Sequence, residues 1–132
     1  NKLVPSIFDA GAGIPGLETL GPSFYTDAAL RYGEDGAVTR LVDSMCLKPA
    51  EFFGLAPRKG AIAPGADADL VVLRRETAPF DASHTRDGLN WSPYDGESFA
   101  IRVATTVRRG EIVWDGTEIL SAPGSGRYIP RQ

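Results

Sequence analysis

The sequence predicts an α/β segment followed by an all-β one (α/β plus β), with the change of character near residue 57. Three observations predict it. Apolar residues recur at helical spacing through the first third, in Leu20, Phe24, Ala28 and Tyr32 and again in Leu41, Val42, Met45 and Cys46. Short runs rich in β-branched residues, at 70–73 and 101–107, mark the remainder as strands. The 15 glycines and 10 prolines among 132 residues demand many turns, which suits short strands and loops better than a helical bundle.

Each element has a local reason. Leu3 to Phe8 reads as a short strand running into Asp9-Ala10-Gly11-Ala12-Gly13, where small residues let bare backbone approach a ligand. Glu18 to Tyr32 reads as a helix despite Gly21 and Pro22 near its start, with Gly33 as its stop. Thr39 to Leu47 reads as a second helix capped by Thr39. Pro49 opens a short third helix, because a missing N–H costs nothing in a first turn; Phe52, Phe53 and Leu55 give it an apolar face and Gly54 ends it. Strands are expected at 61–62, 70–73, 101–107 and 111–114, with Arg109-Gly110 turning between the last two and Asp115-Gly116 forming another turn.

Composition bounds the function. A chain with 42% hydrophobic and 23% charged residues is an ordinary globular one and not disordered throughout. Its net charge of −3 offers no broad attraction to nucleic acid or anionic lipid, and neither partner is expected. The basic pairs Arg74-Arg75 and Arg108-Arg109 read as solvated strand ends. Cys46 has no second cysteine to pair with and sits in an apolar helical series, so a buried thiol is expected. There is no leader-like amino end and no apolar run of roughly 18 residues, from which a cytoplasmic location is expected.

Few residues suggest chemistry of their own. His84 is the single histidine and lies in the polar stretch DASHTRDG, which reads as a loop. Asp67 and Asp69 in GADAD lack the further oxygen ligands that a calcium loop needs, and they read as turn and strand-entry residues. Glu18 and Asp27 read as helix-surface charges, and Trp91 and Tyr94 as aromatics that pack a turn.

Four stretches carry a resemblance. They are KPAEFFGLAPRKGAIAPGADADLVVL at 48–73, GIPGLETLGP at 13–22, NWSPYDG at 90–96, and TTVRRGEIVWDG at 105–116 with the tail GSGRYIPR. In this order they resemble the C-terminal part of a cyclic-amide hydrolase of the amidohydrolase superfamily, the group of dihydropyrimidinases (hydantoinases), dihydroorotases and allantoinases. The resemblance implies that residues 1–57 are the end of a TIM-like (β/α)8 barrel and that 58–132 supply β-sandwich strands and a C-terminal tail. Sandwich strands from the far end of such a chain would be missing, so these residues alone are expected to be poorly stable or sticky. The first residue, Asn1, agrees with a piece whose upstream part lies elsewhere in the same protein.

The implied activity is the opening of a small cyclic amide by metal-activated water. The resemblance implies two divalent ions, usually zinc, held by a His-x-His pair, two further histidines, a carboxylated lysine and an aspartate. With one histidine this chain does not hold that site, so no catalytic residue and no metal ligand is assigned to it. Substrate contact is implied for the loop residues Ala10, Gly11, Ala12 and Gly13, acting through main-chain groups; Gly11 and Ala12 stand where relatives carry proline or asparagine, which leaves the particular ring open. A tight strand-to-helix connection is the alternative reading of the same loop. The tail implies contact with a neighbouring subunit and hence a homo-oligomer. Two other functions remain: a non-catalytic dihydropyrimidinase-like assembly protein and an independent small β-rich binding module.

Overall fold

A computed structural model describes residue 6 and residues 13–131. The expected strand 3–8 therefore lies outside the described residues apart from Ser6, and Ala10, Gly11 and Ala12 lie outside them as well.

From Gly16 the chain winds into α1 (Leu20–Val42), which is broken at Gly33 (φ 71°, ψ 174°) where the sequence places its stop. The helix resumes at once, passes through a π-helical turn at Asp43–Leu47 and continues into α2 (Lys48–Phe52). Thr39 is thus no cap: it lies within the second half of α1 and donates its hydroxyl to the Asp35 carbonyl at 2.9 Å. Pro49 stands in the first turn of α2 as expected. That helix ends in a paired closure, with Leu55 N–H reaching the Ala50 carbonyl at 2.7 Å and Gly54 N–H reaching Glu51 at 3.1 Å. Gly54 holds the left-handed conformation (φ 67°) that this closure requires.

The sheet is antiparallel in the order β1 (Leu70–Pro79), β2 (Ser98–Arg108), β3 (Glu111–Trp114). Leu73 pairs with Val103, Arg75 with Ile101 and Ala78 with Phe99; slips after Val72 and Arg75 bend the ribbon. Arg109 and Gly110, at φ of 51° and 82°, make the two-residue turn between β2 and β3. Both long strands extend further than the β-branched runs suggest. Arg74 and Arg75 consequently lie inside β1 and not at its end, because an edge strand lets long charged side chains reach water. Residues 61–62 form no strand; the chain from 57 to 69 is a series of turns, and Ile62 is 90% exposed.

α1 packs against β2. Tyr25, Ala28 and Ala37 close over Ile101, with Phe24, Ala29, Leu41 and Ala100 at the margin. The alanines let the helix approach the strand closely, and Thr26 Oγ1 accepts the Ala100 N–H at 2.9 Å, fixing the helix along β2. Phe80 and Tyr94 lie 6.1 and 6.0 Å from the buried Phe99, so Tyr94 does pack its turn. The expected apolar faces are only partly covered. Leu20 and Tyr32 are exposed, as is the Cys46 thiol, which corrects the expectation of burial. Phe52 is 82% exposed and meets Phe53 edge to face at 5.1 Å. Burial depends on what lies opposite, which helical spacing alone does not supply. No helix among them is long and apolar enough to cross a membrane.

Candidate functional site

The loop assigned to substrate contact enters the described residues at Gly13, which is exposed, with φ +70° and open space where a side chain would be. From there the chain is gathered into α1 by a compact turn. Leu20 N–H donates to the Gly16 carbonyl at 2.8 Å, Thr19 Oγ1 reaches the same oxygen at 3.3 Å, and Ser23 N–H donates to Thr19 at 2.8 Å. Thr19 is 1% exposed, so this turn is anchored in the interior while Gly13 is not. Beside it lies a shallow hollow of about 290 Å³ walled by Ile14, Leu17, Leu20, Ser23 and Tyr94. Its walls are mostly apolar, with hydroxyls from Thr19, Ser23 and Tyr94, and it can shelter an uncharged group but holds no carboxylate, amine, imidazole or thiol. Glu18, which reads in the sequence as a surface charge, instead accepts the backbone N–H of Arg86 at 2.6 Å.

A larger open hollow of about 670 Å³ lies between the start of α1, the 3₁₀ turn Ala82–His84 and the sheet, where Phe80, Ile101 and Trp114 meet Glu76 and Arg102. Its charged groups have partners, Glu76 with Arg102 at 3.5 Å and Arg86 with the Thr117 carbonyl at 3.0 Å.

His84, Asp81, Asp67 and Asp69 are engaged with protein partners. His84 Nδ1 lies 2.7 Å from Asp81 on an exposed turn. Hydrogen bonds from the Ser83 hydroxyl and N–H, and then from His84, hold the Asp81 carboxyl below its ordinary range. Among the described residues no group of three or more His, Cys, Asp or Glu is placed to bind a metal ion. The described residues do not fit the metal centre that the resemblance implies.

Asp67 and Asp69 form a clasp instead. Asp67 receives Arg58 at 2.9 Å and Lys59 at 2.8 Å; Lys59 also bonds Asp69, whose other oxygen accepts the Arg109 N–H at 2.6 Å. The clasp joins the turns before β1 to the β2–β3 hairpin. The Lys59 hydrogen bond, aided by Arg58, holds Asp67 below the ordinary carboxylate range. Burial would raise Asp69, but Lys59 and the Arg109 N–H outweigh it and lower it too. Burial likewise opposes the charge on Lys59, yet its two aspartates hold its pKa above 10.5. The aspartates stabilise the fold above their ordinary pKa of 3.8, a contribution lost as pH falls through the depressed values. Lys59 stabilises it below 10.5, lost as pH rises through the elevated value. Lys59→Met is expected to cost about 1 kcal/mol at neutral pH and nearly nothing in strong acid, read from urea midpoints at both.

Comparison with known proteins fits this arrangement. The profile of the Amidohydrolase family matches residues 20–113, and the chain belongs to that family. It is 35% identical over 127 residues to an L-hydantoinase of Paenarthrobacter aurescens, covering 96% of this chain and 27% of that protein. It is 40% identical over 93 residues to a D-hydantoinase of Streptomyces coelicolor, covering 70% of the chain and 20% of the relative. The solved L-hydantoinase (dihydropyrimidinase) from Arthrobacter aurescens superposes with a TM-score of 0.84 at 35% identity, over 96% of this chain and 28% of that one. A D-hydantoinase (dihydropyrimidinase) from Thermus sp. gives 0.84 at 28% identity, over 96% and 27%. The chain thus spans between a fifth and little more than a quarter of the length of these relatives.

Proposed function

We propose that this chain is the C-terminal portion of a metal-dependent hydrolase that opens cyclic amides of the hydantoin or dihydropyrimidine type. Residues 1–57 end its (β/α)8 barrel and 58–132 supply sandwich strands and the tail. The observation that carries the reading is the 35% identity to an L-hydantoinase sustained over 127 residues, together with a TM-score of 0.84 against a solved L-hydantoinase (dihydropyrimidinase). In this reading Ala10, Gly11, Ala12 and Gly13 present main-chain groups to the ring, and the compact turn at 16–20 holds their downstream end. The metals, taken as two zinc ions, are held upstream in the same protein, since no ligand set exists among the described residues here. The tail, with Tyr128 exposed, is free to meet a second subunit of a homo-oligomer.

The test is native mass spectrometry with metal analysis on the protein carrying this segment, followed by ring-opening assays on hydantoin and dihydrouracil. Bound zinc, and hydrolysis that a chelator abolishes and zinc restores, are the expected results. A metal-free protein that opens neither ring would leave the assembly role in place of the enzyme.

A further inference from the structure

The pair Arg108-Arg109 reads in the sequence as a solvated strand end, but both residues are half-buried and both side chains turn onto the C-terminal tail. Arg108 Nη2 donates to the Ser125 hydroxyl at 2.8 Å and Arg109 Nη2 to the Ser125 carbonyl at 3.1 Å. Neighbours along a strand point to opposite faces. Arg109 departs from that rule because its backbone is left-handed (φ 51°) just after β2, and so two guanidinium groups are held together at one serine. Among the described residues neither guanidinium meets a carboxylate, and Arg108 Nε is closed off from solvent with no acceptor. Asp69 accepts the Arg109 backbone N–H at 2.6 Å, but its charge is already answered by Lys59. Like charges that are partly buried are screened less than charges in open water, so a negative ion between them relieves both. The Ser125 hydroxyl, which donates to the Ala122 carbonyl at 2.6 Å, can turn the same proton toward such an ion.

We propose that Arg108, Arg109 and Ser125 form a binding site for inorganic phosphate. Charge and geometry fix the class of ligand: two guanidinium charges and a hydroxyl donor match a compact dianion with several acceptor oxygens, and guanidinium groups meet phosphate oxygens with paired N–H bonds. The bound ion ties the tail at Ser125 to the hairpin of β2 and β3, so phosphate sets how firmly the segment beyond Ser125 is held. Binding here does not depend on ring opening, and it is read without an activity assay.

The test is calorimetric titration of the full-length protein with inorganic phosphate, at fixed ionic strength and in mildly alkaline buffer where phosphate is mostly the dianion, beside Arg108→Gln, Arg109→Gln, Arg109→Lys and Ser125→Ala. Arg109→Gln and Arg108→Gln are each expected to weaken phosphate binding about tenfold and Ser125→Ala about threefold. Arg109→Lys keeps the charge without the paired N–H groups and should fall between the unmodified protein and Arg109→Gln. Arg109→Gln retains the backbone N–H that meets Asp69, so it carries the test if Arg108→Gln does not fold. Trypsin cleavage after the exposed Arg127, two residues beyond Ser125, gives a local reading. Phosphate should slow that cut in the unmodified protein relative to chloride at the same ionic strength, and should leave it unchanged in Arg109→Gln. An unmodified protein that binds no phosphate overturns the proposal. Phosphate binding that survives Arg109→Gln with the cut after Arg127 still slowed belongs elsewhere in the protein and overturns it as well.

Discussion

Gly60→Ala should destabilise the protein by about 3 kcal/mol, a large effect for one methyl group. Two penalties coincide at this position. The backbone sits at φ +94°, where an L side chain is strained, and a Cβ there would lie 2.7 Å from Ala50 Cβ, 3.0 Å from the Cys46 carbonyl and 3.2 Å from Leu47 Cα. Two of these three are backbone atoms of the helical stretch 43–52 and cannot turn aside as the tip of a side chain would. Gly65→Ala separates the penalties: φ is +89° there but nothing lies within 4 Å, so only the conformational cost of about 1 kcal/mol remains. Urea midpoints at constant slope read both variants. Equal losses at the two positions would show that close approach at Gly60 contributes nothing.

Ile101→Ala should cost a similar amount, about 3 kcal/mol. Ile101 is 3% exposed and is the strand residue on which Tyr25, Ala28 and Ala37 converge. Two of those neighbours are alanines, which have no length to swing into the space that truncation leaves, so the void stays open. Ile101→Val removes one methylene and is expected to cost about 1 kcal/mol. Ile62→Ala, at an isoleucine 90% exposed, serves as the contrast and should change the urea midpoint little.

Much of the fold was legible because it is decided locally. Gly33 breaks α1, Pro49 and Gly54 bracket α2, and Arg109-Gly110 turns the hairpin, each through the conformational preference of one or two residues. What escaped depends on residues distant in sequence. Thr39 has the chemistry of a cap but lies inside a helix that resumes directly after Gly33. The exposure of Cys46 reflects the lack of an element opposite it among the described residues, which helical spacing does not report. β1 runs through Arg74 and Arg75 where, among the described residues, only one of its edges is paired and long charged side chains can reach water. For the candidate site, Ala10, Gly11 and Ala12 lie outside the described residues and Gly13 is exposed at their border. Glu18 was visible within the GIPGLETLGP stretch but read as a surface charge, since nothing nearby in sequence announces Arg86 as its partner.

The charged centre of β1 bears on how the protein meets other chains. Among the described residues β1 is a ten-residue strand with one unpaired side, and Arg74, Arg75 and Glu76 occupy its middle. Arg75 holds Glu34 of α1 at 2.6 Å and Glu76 holds Arg102 of β2 at 3.5 Å, so these charges tie β1 to its neighbours within the fold. Charged side chains in the middle of an edge strand disfavour pairing with a purely apolar strand, so the unpaired side of β1 suits a partner strand that carries polar or charged residues.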